Sequence, residues 1–151
     1  MEETTKRLNQ LLKSGLDCIF NASKEEMEKK PDRDKWSKKE IIGHLIDSAI
    51  NNLQRFTEIQ FKEKPYKIKA YDQDQLVKAN HYQNADIKEL SELWLVLNKQ
   101  IIFLMKNQSE ETLNFTIENS NGTTADLRFL MNDYVDHLEH HLNQITNSSG
   151  I

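Results

Sequence analysis

The sequence predicts an all-α fold, a four-helix bundle with a long crossover between helices two and three. Apolar residues recur at helical spacing in four long segments, and two of these begin at N-terminal capping signals. A stretch of about two dozen residues, 63–85, separates the second segment from the third, which is long for an unstructured loop. The chain of 151 residues suits one domain, which we expect to span 1–151.

Predicted helix one runs from about Glu3 to Lys29, and Pro31 ends it. Predicted helix two has the clearest start, because Ser37 and Glu40 have the spacing of a capping box. The predicted inward face of helix two is polar, with His44, Ser48, Asn51, Asn52 and Arg55. Because a buried polar group without a partner is costly, we expect this face to border a cavity.

The remaining elements follow from turn, cap and periodicity signals. A short helix is predicted inside the connection, a third long helix after a second capping box, then an extended segment and a fourth long helix. In chain order these are Gln75–His81, the helix that starts at Asp86 with Glu89, Leu113–Glu118, and the helix that starts near Thr123 or Thr124 after the Asn121-Gly122 turn.

Composition excludes several classes of protein. A net charge of −4 disfavours nucleic acid as a partner, and acidic residues interrupt the Lys-rich stretch Lys24–Lys39, which indicates a solvated face. The single cysteine, Cys18, excludes an internal disulfide framework. No apolar run reaches the length of a membrane span, and the N-terminus lacks a signal-peptide core. We therefore expect a cytoplasmic globular protein that binds neither nucleic acid nor membrane.

Three histidines form a candidate metal site. His137 and His141 lie four residues apart on one face of predicted helix four, and His44 lies on the inward face of helix two. Imidazole is the commonest protein ligand of divalent transition metals, and three protein ligands leave a coordination position open. His140 points away from the shared face, and His81 lies in the connection. The alternative interpretation is that these histidines only pack in the core.

The heights of the three histidines along their helices distinguish between two topologies. In a simple up-down-up-down bundle, His44 would lie about a dozen ångströms in height from His137 and His141. If the long connection crosses over, helix three runs parallel to helix two and helix four antiparallel to it. The three imidazoles are then level. The long connection and the histidines therefore favour the same up-down-down-up arrangement.

Several charged residues are candidates for roles around the site. Asp47 and Asp133 lie about one turn from a histidine and could orient an imidazole. Arg55 could bind an anionic substrate group. The crossover residues Asp72 and Asp74 are, with Asp47, candidate general bases. The competing interpretations are ordinary surface charge for the carboxylates and a structural ion pair for Arg55.

Four motifs lie between helix two and the C-terminus: Trp36-Ser37 followed by Gly43-His44-Leu45, then Asn52–Phe56, Tyr71–Asp74 and His137-Leu-Glu-His140-His141. In these motifs the chain resembles the DinB-like superfamily, its YfiT-like branch in particular. The resemblance implies a four-helix bundle with a crossover after helix two and a divalent metal held by His44, His137 and His141. It also implies that a homodimer is a possible assembly.

The resemblance implies metal-dependent hydrolysis, or in some relatives the transfer of a small cellular thiol to an electrophile. Our leading hypothesis is a metal-dependent enzyme that activates a small thiol or water against a small-molecule substrate. Zinc or nickel is expected, although iron and manganese also suit imidazole. The alternatives are a hydrolase without a thiol cosubstrate and a non-catalytic metal-binding bundle. One departure concerns the substrate pocket: the family pattern predicts tryptophan where this chain has Gln75-Leu76.

Overall fold

The computed structural model describes residues 1–147 and has the predicted four long helices, α1, α3, α5 and α7. The last four residues of the predicted 1–151 domain lie outside the described residues. Short helices, one 3₁₀ turn (Tyr82–Asn84) and three strands connect the long helices. The elements are α1 Glu2–Asn21, α2 Lys24–Glu28, α3 Lys38–Glu58, β1 Tyr66–Lys67, α4 Gln73–Ala79, α5 Ile87–Lys106, α6 Glu110–Leu113, β2 Thr116–Glu118, β3 Thr124–Asp126 and α7 Leu127–Asn147.

Helices α1 and α7 run in the same direction. Thr4 Oγ1 donates a hydrogen bond to Asn132 Oδ1 at 2.7 Å. One turn further along both helices, Arg7 forms an ion pair with Asp136 at 2.6 Å. Because the residue numbers rise together on the two helices, α1 and α7 are parallel neighbours.

Helix α3 runs antiparallel to α7 and parallel to α5. Early in α3, the His44 ring centroid lies 4.5 Å from that of His141. Late in α3, the Phe56 ring centroid lies 6.0 Å from that of Tyr134, which precedes His141 by seven residues on α7. Residue numbers therefore fall along α7 as they rise along α3. Lys39 Nζ, in the first turn of α3, donates to a backbone carbonyl just before α5 at 3.0 Å. Helices α3 and α5 therefore start at the same end, and the predicted up-down-down-up topology is confirmed.

The capping signals of α3 are confirmed at the level of hydrogen bonds. The Glu40 amide donates to Ser37 Oγ at 3.1 Å, and the Ser37 amide donates to Glu40 Oε2 at 2.9 Å. Asp86 caps α5 by accepting from the amides of Lys88 and Glu89. These two caps fix where the parallel helices begin.

Two predicted boundaries are wrong for local reasons. Predicted helix one is divided into α1 and α2, because Ser23 accepts a hydrogen bond from the Glu26 amide and so starts a new helix. Predicted helix four starts later than Thr123 or Thr124, because residues 124–126 form β3. Asp126 Oδ1 then accepts from the Phe129 amide at 2.8 Å, which satisfies a free donor at the start of α7.

The predicted solvated face at Lys24–Lys39 is also partly wrong. Lys38 and Lys39 are buried at the start of α3, although most residues before them are exposed. Lys38 pairs with Glu26 and Lys39 with Glu28, each at 2.7 Å. A buried ammonium requires such a partner. The ion pairs hold α2 against the start of α3.

A small sheet ties the long connection to the far end of the bundle. Strand β2 is central, with β1 parallel to it on one side and β3 antiparallel on the other. Tyr66 of β1 is in register with Ile117 of β2, which is fully buried. The predicted extended segment Leu113–Glu118 is therefore confirmed in its second half, while Leu113 ends α6.

The other end of the connection is fastened to α3. Tyr82 OH donates to Asp47 Oδ1 at 2.7 Å, and Asn80 Nδ2 donates to the same oxygen at 2.9 Å. The Tyr82 ring lies directly on Gly43, where a side chain would overlap it. The predicted helix in the connection is present as α4, two residues earlier than expected. No helix within residues 1–147 is long and apolar enough to cross a membrane.

Replacement of Gly43 tests this close contact. An added Cβ would overlap Tyr82 Cγ and Cδ2, which are next to the backbone and cannot move freely. We expect Gly43→Ala to lower the free energy of unfolding by about 1–3 kcal/mol, measured by chemical denaturation. Without the overlap, alanine would stabilise the helix. In the Tyr82→Gly background, which also removes the Cβ atom of residue 82, the same change should therefore cost much less, and an equal cost in both backgrounds would contradict the account.

Candidate metal centre

The three predicted histidines come together at one end of the bundle. The second turn of α3 carries His44, and the C-terminal half of α7 carries His137 and His141. One potential ligand atom from each residue lies within 4.8 Å of the other two. We call these three residues the histidine cluster. Metal binding by the cluster stays a prediction.

The separation of two nitrogens fits a shared ion. His44 Nε2 lies 3.2 Å from His137 Nε2. Two nitrogens that each lie about 2.0–2.1 Å from one tetrahedral zinc ion are about 3.3 Å apart. The His141 ring centroid lies 4.5 Å from the centroids of both other rings. The cluster therefore fits one divalent ion with three imidazole ligands.

Burial keeps the imidazoles neutral. Burial, together with smaller contributions from the neighbouring His141 and His137, lowers the pKa of His44 to about 3. Burial also lowers the pKa of His137 to about 4, together with the nearby His141 and His140. The pKa of His141 is lowered mainly by burial. A neutral imidazole is the form that binds metals, so the cluster is ready to act as a ligand set at neutral pH.

Polar neighbours orient two of the rings. Ser48 Oγ lies 3.5 Å from His137 Nδ1, and Asn52 Nδ2 donates to the Ser48 carbonyl at 2.9 Å. Gln144 Oε1 lies 2.9 Å from His141 Nδ1. An amide oxygen only accepts, so this contact places a proton on Nδ1 and leaves the lone pair on Nε2. In the rings of His137 and His141, Nδ1 therefore has a polar neighbour and Nε2 is left for a metal.

Trp36 covers the cluster on one side. Its ring centroid lies 4.8 Å from that of His44 and 6.4 Å from that of His141. His44 is fully buried, and within residues 1–147 its Nδ1 has no hydrogen-bond partner, so ring packing holds it. A cavity of about 340 Å³ lies beside Trp36 and is also lined by His141, Gln144 and Asp74. Its volume suits a small molecule.

The remaining histidines lie outside the cluster. His140 is exposed, as expected for its position on α7, and its Nε2 lies 3.4 Å from the Gln144 amide nitrogen. His81 is exposed and has a left-handed backbone with φ of 53°. It lines a second cavity of about 450 Å³, which Trp36 and Asp74 also line.

Asp47 does not orient His44, contrary to the prediction. Its Oδ1 accepts from Tyr82 and Asn80, and within residues 1–147 its Oδ2 has no partner. Burial raises the pKa of this carboxyl. Asp47 lies three residues after His44, so its side chain points about 60° away from that of His44 around the helix axis, toward the connection. The residue therefore fastens the connection and has no hydrogen bond to the cluster.

The other candidate carboxylates separate into different roles. Asp133 is exposed on α7, and the described structure gives it no hydrogen bond to His137. Asp72 caps α4 by accepting from the Gln75 amide at 3.1 Å. Asp74 lines the cavity beside His141. Of these three, Asp74 stays a candidate base.

Arg55 lies at the other end of the polar face of α3, about 16 Å along the helix from His44. Its guanidinium donates to the Lys69 carbonyl at 2.7 Å and to Asn52 Oδ1 at 3.4 Å, and it lies 5.4 Å from the Tyr71 ring centroid. Within residues 1–147 no carboxylate pairs with it, so the alternative of a structural ion pair is not formed.

Two residues of the site were not predicted from the sequence. Trp36 was named only as part of the family resemblance, although the start of α3 also faces the C-terminal half of α7. Gln144 lies three residues after His141, a spacing that makes side chains neighbours on a helix. That spacing was the available signal.

Known proteins share this fold. Residues 1–145 match the DinB superfamily model, and no curated protein matches the sequence. YfiT from Bacillus subtilis, described as a probable metal-dependent hydrolase with an unusual four-helix bundle topology, aligns with a TM-score of 0.87 at 18% identity, over 97% of this chain and 83% of YfiT. The DinB-like protein YjoA from Bacillus subtilis has a TM-score of 0.67 at 16% identity, over 97% and 88%.

The mycothiol-dependent maleylpyruvate isomerase has a TM-score of 0.71 at 12% identity. The match covers 93% of this chain but only 58% of the isomerase, so this protein corresponds to little more than half of that enzyme. At such identities the likenesses establish the fold and not the reaction. The family match extends over nearly the whole sequence, from the first residue to the last turns of α7. This protein belongs to the DinB superfamily.

Proposed function

We propose that the protein is a divalent-metal-dependent enzyme whose histidine cluster serves to activate a small thiol or water for attack on a small electrophile. One observation carries the proposal: the ligand atoms of three neutral imidazoles lie within 4.8 Å of one another, and one of these residues, His141, lines a cavity of about 340 Å³. A purely structural core has little use for three unprotonated histidines beside a cavity.

His44, His137 and His141 are the residues that would hold the ion. Zinc or nickel is expected, and iron or manganese also accepts imidazole ligands. When bound, such an ion lowers the pKa of a coordinated water or thiol and supplies a nucleophile near neutral pH. With three protein ligands, a position is left for that molecule.

The surrounding side chains position the ligands and the substrate. Ser48 and Gln144 hold the rings of His137 and His141, and Trp36 shields His44 from water. Asp74 shares the cavity with His141, where a carboxylate can accept a proton from a substrate or nucleophile.

Two reactions suit this arrangement. Thiol transfer, with a low-molecular-weight thiol as cosubstrate, is supported by the fold shared with a mycothiol-dependent isomerase. Hydrolysis of a small substrate is supported by the likeness to YfiT and by a carboxylate, Asp74, on the cavity wall. A bundle that binds metal without turnover is the third candidate.

Metal content tests the cluster directly. We expect purified protein to contain about one divalent ion per chain, and His44→Ala, His137→Ala and His141→Ala each to lose most of it because two imidazoles bind far more weakly than three. His140→Ala is the matched control, since it removes an exposed histidine of the same helix, and should retain the metal. Elemental analysis of folded protein measures this. Equal metal content in all four variants would exclude the site.

The role of Ser48 can be tested separately. Because its hydroxyl supports the His137 ring, we expect Ser48→Ala to weaken metal affinity by about tenfold, measured by competition with a chelator. Ser91→Ala is a suitable control, since Ser91 is also buried but bonds only to the Ile87 carbonyl of its own helix. The same loss of affinity in both variants would show a general packing effect.

Substrate assays distinguish the two reactions. Thiol transfer predicts metal-dependent consumption of a chromogenic electrophile only when a small thiol is present, and hydrolysis predicts cleavage of esters or amides without thiol. Asp74→Asn should lower hydrolysis by about a hundredfold while the metal content is unchanged. If metal-loaded protein catalyses neither reaction and His137→Ala has the same background rate, the enzyme proposal fails.

A further inference from the structure

A second large groove lies at the far end of α3 from the histidine cluster. Its volume is about 680 Å³, and it is lined by the last turns of α3, by residues 62–67 and by Lys69. This volume is within the range of small-molecule sites in proteins. We call it the basic groove, because five of its lining residues are cationic and two are anionic; the cationic residues are Arg55, Lys62, Lys64, Lys67 and Lys69.

The groove is positively charged although the chain is acidic overall, with a net charge of −4. One of its two carboxylates, Glu58, is already fully engaged. Glu58 pairs with Lys62 at 2.8 Å and accepts from Tyr66 OH at 2.8 Å and from Gln54 at 3.0 Å. Within residues 1–147, Lys67 and Lys69 have no side-chain partner. Positive charge therefore remains uncompensated.

The surroundings of Arg55 independently indicate an anion site. It is half-buried, and burial lowers its pKa, yet its guanidinium bonds only neutral oxygens. Arginine stays charged in proteins and presents five N–H donors in a planar fork, of which these bonds use two. The Tyr71 ring and the Lys69 carbonyl hold it in place. A positioned and half-buried guanidinium without a carboxylate partner is an arrangement suited to binding an anion.

We propose that the basic groove binds a small, multiply charged anion, one that carries phosphate or carboxylate groups, with Arg55 as its main contact. Arg55 supplies paired donors for one anionic group, and Lys67 and Lys69 attract the others. The exposed lysines attract the anion at long range, and the half-buried arginine fixes the orientation of the bound anionic group.

This site is separate from the histidine cluster. Arg55 lies about 16 Å along α3 from His44, and the groove is lined by none of the three histidines. The proposal therefore does not depend on metal binding. It also accounts for the polar face of α3, along which Ser48, Asn52 and Arg55 lie in sequence toward the groove.

Binding of inorganic pyrophosphate, with tricarballylate as a carboxylate counterpart, tests the proposal. Calorimetry at constant ionic strength should detect saturable binding of at least one of them to the wild-type protein. We expect Arg55→Gln to weaken it by about tenfold or more and Lys67→Gln by about threefold. Lys99→Gln, which removes one exposed charge from α5, is the matched control and should bind like the wild type.

Because pyrophosphate also binds metals, His137→Asn is included, and undiminished binding to it assigns the anion to the groove. Lys67 has no side-chain partner, so Lys67→Gln decides the question if Arg55→Gln does not fold. The proposal is overturned if neither anion binds, if binding is lost in His137→Asn, or if Lys99→Gln weakens it as much as the groove variants do.

Discussion

The antiparallel contact between α3 and α7 is the constraint on which the rest of the structure depends. His44 lies near the start of α3, whereas His137 and His141 lie in the C-terminal half of α7. These side chains are level only when the two helices run in opposite directions. Helix α5 then runs parallel to α3, and the chain must return along the full length of α3, about 30 Å, before α5 can begin. The long connection is therefore a consequence of the helix directions that bring the three histidines together.

The connection is ordered because it is fastened at both ends. At one end β1 adds to the β2–β3 hairpin, and at the other Tyr82 and Asn80 share the Asp47 carboxylate. Lys39 adds hydrogen bonds to two carbonyls just before α5. A segment of this length without such contacts would lose too much conformational entropy to stay in one place. Its middle part can therefore form walls for cavities beside α3.

The sequence was sufficient to predict the features that depend on helical periodicity and on the heights of the histidines along their helices. Four apolar stripes, the Ser37 cap and the matching depths of the histidines predicted the bundle, its topology and the grouping of His44 with His137 and His141. It was insufficient for contacts between segments far apart in the chain. The partner of Asp47 is Tyr82 and those of Lys38 and Lys39 lie in α2, and no local pattern reveals such pairs. The three-residue strand β3 was too short to have a period.

The position of the connection has an evolutionary consequence. The bundle supplies the three histidines, while the connection supplies Asp74 at one cavity and Lys67 and Lys69 at another. Substitutions or length changes in this segment can alter which molecules are admitted without disturbing the helices that carry the imidazoles. Surface segments tolerate such changes far better than cores do. One scaffold can in this way acquire different cavity walls while the three histidines keep their positions.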